Sequence, residues 1–317
     1  MPTVAAARWA MNTRFEIVLH GGDPVALRAA ADEALNEIEA LEAQLSVFRP
    51  TSEIARVNKH AATQPVRVSP PVFRLLQRVQ VLSAETGGAF DPTVGPLLAA
   101  WGFLGGPGAV ANPAAVADAR DRVGMHRVAL DPFRFEVRFM QPGMLIDLGA
   151  VGKGYAIDCA TDLLREAGVT SGFLHGGTSS CFAIGRPPAA DAWRTSITDP
   201  RPPGIEGTTD LGVVTLREES LGVSCIWGKS FTNPGGQSYG HVIDPRSGEP
   251  VDRAWLAAVV LPSATESDAL STALITLGSE GLELIRRLRP ASRMLVVEAS
   301  SATGPGPIHR LGLDVAG

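Results

Sequence analysis

The chain has 317 residues, 45% of them apolar and 19% charged, with a net charge of -5. This is the composition of a globular protein with a substantial core, in one large domain or two closely joined lobes, and it lacks the basic stripe that nucleic acid selects. No run approaches the roughly 18 apolar residues of a membrane helix, no basic start precedes a long apolar stretch at the N-terminus, and Cys159, Cys181 and Cys225 form no zinc or disulfide spacing, so the sequence reads as a soluble cytoplasmic protein.

Phe15, Ile17 and Leu19 alternate with Arg14, Glu16 and Val18, the period of a strand. Asp23-Pro24 then opens a helix to about Leu45, whose stripe is Leu27, Leu35, Ile38, Leu41 and Leu45. Ser69-Pro70-Pro71 opens a second, with Val72, Leu75, Leu76 and Val79 buried and Gly87-Gly88 as its end. Residues 104–116, rich in Gly, Pro and Ala, read as a surface loop. A further helix follows Gly154 and stops at Gly168. Trp193 to Gly207 reads as loop, with 199–207 at the surface. Val213–Leu216, Leu256–Leu261 and Met294–Val297 read as buried strands, with helices near 266–277 and 279–289 between the last two. Strands and helices do not alternate regularly, so the fold class is mixed α/β (α+β), not a doubly wound sheet.

The segment Asp147 to Asp158, DLGAVGKGYAID, follows the apolar run Met144-Leu145-Ile146 and precedes a helical pattern. Strand, glycine-rich loop and helix in that order suit a phosphate, because helix N–H groups and the helix dipole favour an anion. The spacing is neither that of a P-loop nor that of the dinucleotide fingerprint GxGxxG. Other chemistry-bearing segments are Phe48 to Asn58, Gly88 to Phe103, His241 to Gly248 and Ser267 to Thr272. Asp268 and Thr272 are four apart, so their oxygens share one helix face and could ligate a hard cation; a helix cap is the alternative. His241 stands beside the turn-forming Asp244-Pro245-Arg246-Ser247-Gly248, as a structural residue or as an acid/base group. Phe90 and Trp101 suit a core, Phe48 suits either a core or a flat ligand, and Asp91 suits a helix cap or a heterocycle's ring nitrogens.

Taken in order, these segments resemble the ApbE family, the FAD:protein FMN transferases. MNTRF, FRPTSEIARVN, GGAFDPTVGPLLAAWGF, DLGAVGKGYAID, HVIDPRSGEPV and SDALSTALITLG carry the resemblance, from Met11 to about Leu288. It implies a single domain over 1–317 with that family's fold of two closely joined lobes. It also implies cleavage of FAD at its pyrophosphate, with Mg²⁺, and transfer of FMN to a Thr or Ser hydroxyl of an acceptor flavoprotein, releasing AMP. Two alternatives are an FAD pyrophosphatase and a flavin-binding protein with little catalysis. By the same resemblance the metal ligands are the Ala150 carbonyl, Asp268 and Thr272, with Ser271 adjacent. The flavin contacts are Met11, Phe48, Ala89, Phe90, Asp91, Asp147, Lys153 and Ile243. His241 and Asp268 are the catalytic pair, with Asp244 shaping the turn and orienting the histidine. The loop glycines are expected to permit a close approach with unusual dihedrals. Asn12, Thr178-Ser179, Ser224-Cys225-Ile226-Trp227 and Ser271 depart from the family pattern.

Overall fold

The structure, a computed structural model, describes residues 1–198, 210–226, 228–300 and 304–313. Eight strands form its main sheet: β1 (Thr3–Ala10), β2 (Thr13–His20), β3 (Ser171–Gly176), β4 (Ser180–Gly185), β5 (Glu219–Cys225), β6 (Ala254–Leu261), β7 (Arg293–Ser300) and β8 (Gly304–Leu311). Each pairs antiparallel with the next in chain order. The sheet is therefore a meander interrupted by long excursions, which is why strand and helix patterns do not alternate along the chain.

The helices are α1 (Pro24–Leu45), α2 (Glu53–His60), α3 (Pro70–Glu85), α4 (Gly95–Ala100), α5 (Pro113–Arg120), α6 (Gly152–Glu166), α7 (Ala264–Leu277) and α8 (Gly281–Leu288). The Asp23-Pro24 signal holds, with the Asp23 carboxylate accepting from Val25 N at 2.9 Å. Helix α2 has only two fully buried residues, Ile54 and Val57, too few for a visible stripe. Its mark in the sequence is the cap, Ser52, whose Oγ accepts from Ala55 N at 2.9 Å. The surface loop read over 104–116 ends at Asn112, which caps α5.

Trp193–Thr198 is a strand, not a loop, paired with Asp210–Leu216. The prolines and glycines that suggested a loop begin only after Asp199. Ile197, Val214 and Leu216 are buried against Leu221, Leu256, Val260 and Leu295 and cover one face of the main sheet. The surface loop expected at 199–207 lies outside the described residues.

The opposite face packs on α1, α6 and α7 in one continuous core. On β5 the residues facing α7 are all small. Ser220 Oγ meets Ser267 Oγ at 2.6 Å and Ser224 Oγ meets Ser271 Oγ at 2.8 Å. A Cβ on Gly222 would lie 2.4 Å from the Ser267 carbonyl carbon. Alternation then sends Leu221 and Val223 to the other face. Helix α7 thus lies almost on the strand backbone, and α6 lies equally close to α7: a Cβ on Gly154 would sit 2.1 Å from the Ala264 carbonyl oxygen.

Gly154→Ala tests this contact. In an ordinary helix the change gains about 1 kcal/mol, whereas here overpacking against a backbone carbonyl is expected to cost about 1–3 kcal/mol. Urea denaturation reads the sign, and a neutral or stabilised variant would show that the two helices can move apart freely.

Candidate functional site

The loop before α6 is built by side chains that imitate backbone. Asn58 of α2 pairs with Ile146 in both directions, its Nδ2 donating to Ile146 O at 2.9 Å and its Oδ1 accepting from Ile146 N at 2.8 Å. Asp147 Oδ1 accepts from Gly149 N at 2.7 Å, closing a tight turn. Gly149, Gly152 and Gly154 are not in the left-handed region, contrary to the expectation of unusual dihedrals. Space is the reason for two of them: a Cβ on Gly149 would meet Asp147 Oδ1 at 2.9 Å, and Gly154 faces Ala264.

The phosphate-loop resemblance also has a physical resolution. The Gly154 N–H in the first turn of α6 donates to Asp268 Oδ2 at 2.7 Å. A carboxylate from α7 therefore already stands where an anion would bind a free helix N-terminus. Asp268 is not the cap of its own helix, because that position belongs to Ser263, whose Oγ accepts from Glu266 N.

A cleft of about 570 Å³ opens beside this junction. It collects residues from all the segments carrying the resemblance: Met11, Phe48, Ala89, Phe90, Asp91, Asp147, Ala150, Lys153, His241, Ile243, Asp268 and Thr272. Ser271 does not line it. That hydroxyl is fully buried in the β5 seam, where it donates to Asp268 O at 3.0 Å and meets Ser224.

Met11 and Asn12 form the two-residue turn between β1 and β2, with φ of 50° and 59°. Such a hairpin turn asks for positive φ at both places, and asparagine, like glycine, meets that demand. The departure at Asn12 thus keeps the backbone geometry. Met11 adopts the left-handed conformation at a steric cost and reaches the cleft from it.

Four carboxyl and imidazole groups differ sharply in environment. Asp91 is buried and saturated: Oδ2 accepts from Ser83 Oγ and Met125 N, each at 2.9 Å, and Oδ1 from Thr93 N at 2.8 Å and Thr93 Oγ1 at 2.5 Å. A contact from Asp91 to a ligand is left to its main chain, and its side chain braces the cleft wall. Burial raises the Asp147 carboxyl above the usual range, opposed by the Gly149 N–H and by the charge of Lys229. Burial likewise pushes Asp268 up to about 6, against the opposing charge of Lys153 and hydrogen bonds from Ser180 and Gly154. Burial lowers His241, with the charges of Lys229 and Lys153 acting the same way.

His241 is not oriented by Asp244. Asp244 is held by Arg246, at 2.9 Å to Nε and 2.7 Å to Nη2, and shapes the turn. His241 Nδ1 lies 3.1 Å from the Lys229 carbonyl oxygen, which also accepts the His241 main-chain N–H at 3.1 Å. A carbonyl only accepts, so Nδ1 carries the proton and Nε2 keeps its lone pair.

The motifs did not single out Ser180, Lys229 or Ser224 as site partners. Ser180 Oγ donates to Asp268 Oδ1 at 2.8 Å across 88 residues of sequence. Lys229 Nζ donates to Phe103 O at 2.6 Å, and Ser224 Oγ lies 3.0 Å from Thr272 Oγ1. Among the described residues Asp268 makes no ion pair, and no cluster of three or more His, Cys, Asp or Glu side chains could hold a metal. What Asp268, Thr272 and Ala150 offer a cation in the cleft is a buried carboxylate, a hydroxyl and a carbonyl, all hard oxygens. That set fits Mg²⁺ when substrate phosphates and water complete its shell.

A family model described as the ApbE family matches residues 11–296. The chain is 32% identical over 271 residues to the FAD:protein FMN transferase of Klebsiella pneumoniae (strain 342), covering 82% of this chain and 81% of that protein. It is 30% identical over 292 residues to the enzyme of the same name from Treponema pallidum (strain Nichols), covering 86% and 78%. Among solved structures, the ApbE protein of Thermotoga maritima superposes with a TM-score of 0.87 at 25% identity, covering 98% of this chain and 97% of that one. The apo flavinyl transferase ApbE of Pseudomonas stutzeri superposes at 0.82 with 26% identity, covering 98% and 95%.

Asp91 and Phe48 provide a contrast within the cleft wall. Asp91→Ala leaves several buried donors unpaired and is expected to cost about 3 kcal/mol. Phe48 is 59% exposed, so Phe48→Ala is expected to change stability by less than about 0.5 kcal/mol. Chemical denaturation of both variants checks this, and equal effects would remove Asp91 from the role of brace.

Proposed function

The chain belongs to the ApbE family, and on that premise we propose that it moves the FMN half of FAD to a Thr or Ser hydroxyl of a target protein, with Mg²⁺ on the pyrophosphate and AMP as leaving group. The observation that carries this reading is the convergence of Lys153, Asp268, Thr272 and His241, from three separate segments, on one cleft. When bound, Mg²⁺ supplies charge neutralisation on the pyrophosphate oxygens. Asp268, Thr272 and the Ala150 carbonyl would hold it there, with Ser271 behind them, bonded to Asp268 O and to Ser224, whose hydroxyl meets that of Thr272.

Phe48 offers an exposed ring for the flat isoalloxazine, and Met11, Ile243 and the Ala89-Phe90 wall enclose the rest. Lys153 and Lys229 add positive charge near the reacting phosphates. His241 Nε2 takes the proton of the acceptor hydroxyl as its oxygen bonds to the FMN phosphorus and the bond from that phosphorus to the AMP oxygen breaks. Burial keeps His241 neutral and able to accept at neutral pH. Among the described residues no helix is long and apolar enough to cross a membrane.

Incubation with FAD and Mg²⁺, with and without a threonine-bearing acceptor, tests the reading by mass spectrometry and AMP release. Flavin on the acceptor is expected. AMP released equally without acceptor would instead mark a pyrophosphatase, and no AMP in either case would mark a flavin-binding protein. Asp268→Ala is expected to abolish Mg²⁺-dependent turnover, and unchanged activity at limiting Mg²⁺ would refute that ligand.

The pH dependence of kcat/KM, which reports the free enzyme, follows from His241. Its folded value is lowered from 6.5, so the base form persists to more acidic pH than in a free imidazole. The acid limb of kcat/KM is expected below pH 6.5, and His241→Ala is expected to lower kcat while leaving FAD affinity nearly unchanged. An acid limb above 6.5, or a collapse of FAD binding with normal turnover of the bound fraction, would remove His241 from proton transfer.

A further inference from the structure

Asp158 closes the glycine-rich segment but does not line the cleft. Its carboxylate nevertheless accepts four hydrogen bonds from the start of α7. Oδ1 takes Ala264 N at 2.8 Å. Oδ2 takes Ser263 Oγ at 2.8 Å, Thr265 N at 2.9 Å and Thr265 Oγ1 at 2.6 Å. The Ser263 cap takes only Glu266 N, and the N–H groups of Ala264 and Thr265 that it leaves over are taken by a carboxylate from another helix.

The arrangement is reciprocal. On α6, Gly154 and Asp158 are four residues apart; on α7, so are Ala264 and Asp268. Asp158 grips the first turn of α7 at Ala264, and Asp268 grips the first turn of α6 at Gly154. Residues one turn apart share a helix face, so the two pairs of contacts fix how each helix is rotated against the other. The rotation of α7 sets where Asp268 and Thr272 point, and α6 carries Lys153 and the adjoining Ala150.

We propose that Asp158 is a positioning residue for the transfer reaction: it locks the rotation of α7 against α6 and thereby aims the Asp268 and Thr272 oxygens at the metal. This rests on the Mg²⁺ reading above. A residue that orients a metal ligand usually costs about 10–100-fold in metal affinity or activity when it is lost. A residue that only capped a helix would lower stability and leave metal affinity alone.

The test uses Mn²⁺ titrated into the FAD-bound full-length protein without acceptor, with free Mn²⁺ read by electron paramagnetic resonance. Wild type is expected to bind and Asp268→Ala to lose binding. Asp158→Asn keeps the shape but lacks the second acceptor oxygen. It is expected to bind Mn²⁺ at least about ten-fold more weakly, with metal-free FAD affinity unchanged. Its kcat is expected to recover as Mg²⁺ is raised. If Asp158→Asn does not fold, Thr265→Val removes one of the four bonds and is expected to weaken Mn²⁺ binding measurably. Wild-type Mn²⁺ affinity in a folded Asp158→Asn, or in Thr265→Val where that is the variant used, overturns the proposal and leaves Asp158 a cap. Undiminished Mn²⁺ binding in Asp268→Ala has a different signature: it overturns the metal assignment itself, and this proposal with it.

Discussion

The contact between the first turns of α6 and α7 is the constraint on which the rest of the site depends. Two helix N-termini, each with N–H groups that seek acceptors, are brought together, and each is satisfied by a carboxylate from the other helix. The approach is possible only because Gly154 has no side chain and because β5 offers Ser220, Gly222 and Ser224 beneath α7. Any bulk in that layer would lift α7 and carry Asp268 away from the cleft.

Burial then sets the chemistry. Asp268 sits at a place where desolvation disfavours its charged form more than the charge of Lys153 and the hydrogen bonds from Ser180 and Gly154 favour it, and among the described residues it has no ion-pair partner. That carboxylate is costly for a protein without a cation and useful to one that recruits a cation with its substrate. The same desolvation favours the neutral form of His241, so one physical cause acts on a carboxylate at one wall of the cleft and an imidazole at another. Asp91, equally buried, is satisfied by four protein donors.

Much of this was legible in the residues. The alternation of Phe15, Ile17 and Leu19, the cap at Asp23 and the four-residue spacing of Asp268 and Thr272 are local features, decided by strand and helix periods. The strand at Trp193–Thr198 was hidden because its partner, Asp210–Leu216, lies beyond a loop rich in proline and glycine. Helix α2 was hidden because it buries so little. The orientation of His241 was misassigned to Asp244, the nearer carboxylate in sequence, because nothing local reveals that the Lys229 carbonyl lies beside the ring.

By itself the sequence determined the mixed α/β class and the order of the motifs, since periodicity and motif order are properties of neighbours along the chain; that Asp147, Lys153, His241 and Asp268 belong together was implied by the family resemblance. Only the tertiary structure decided what each of those residues faces. It turned Asp268 from a cap of its own helix into the acceptor at another, joined Ser180 to it and gave Asp158 a partner more than a hundred residues away. These are long-range hydrogen bonds and close backbone approaches, and the packing of α6, α7 and β5 creates them.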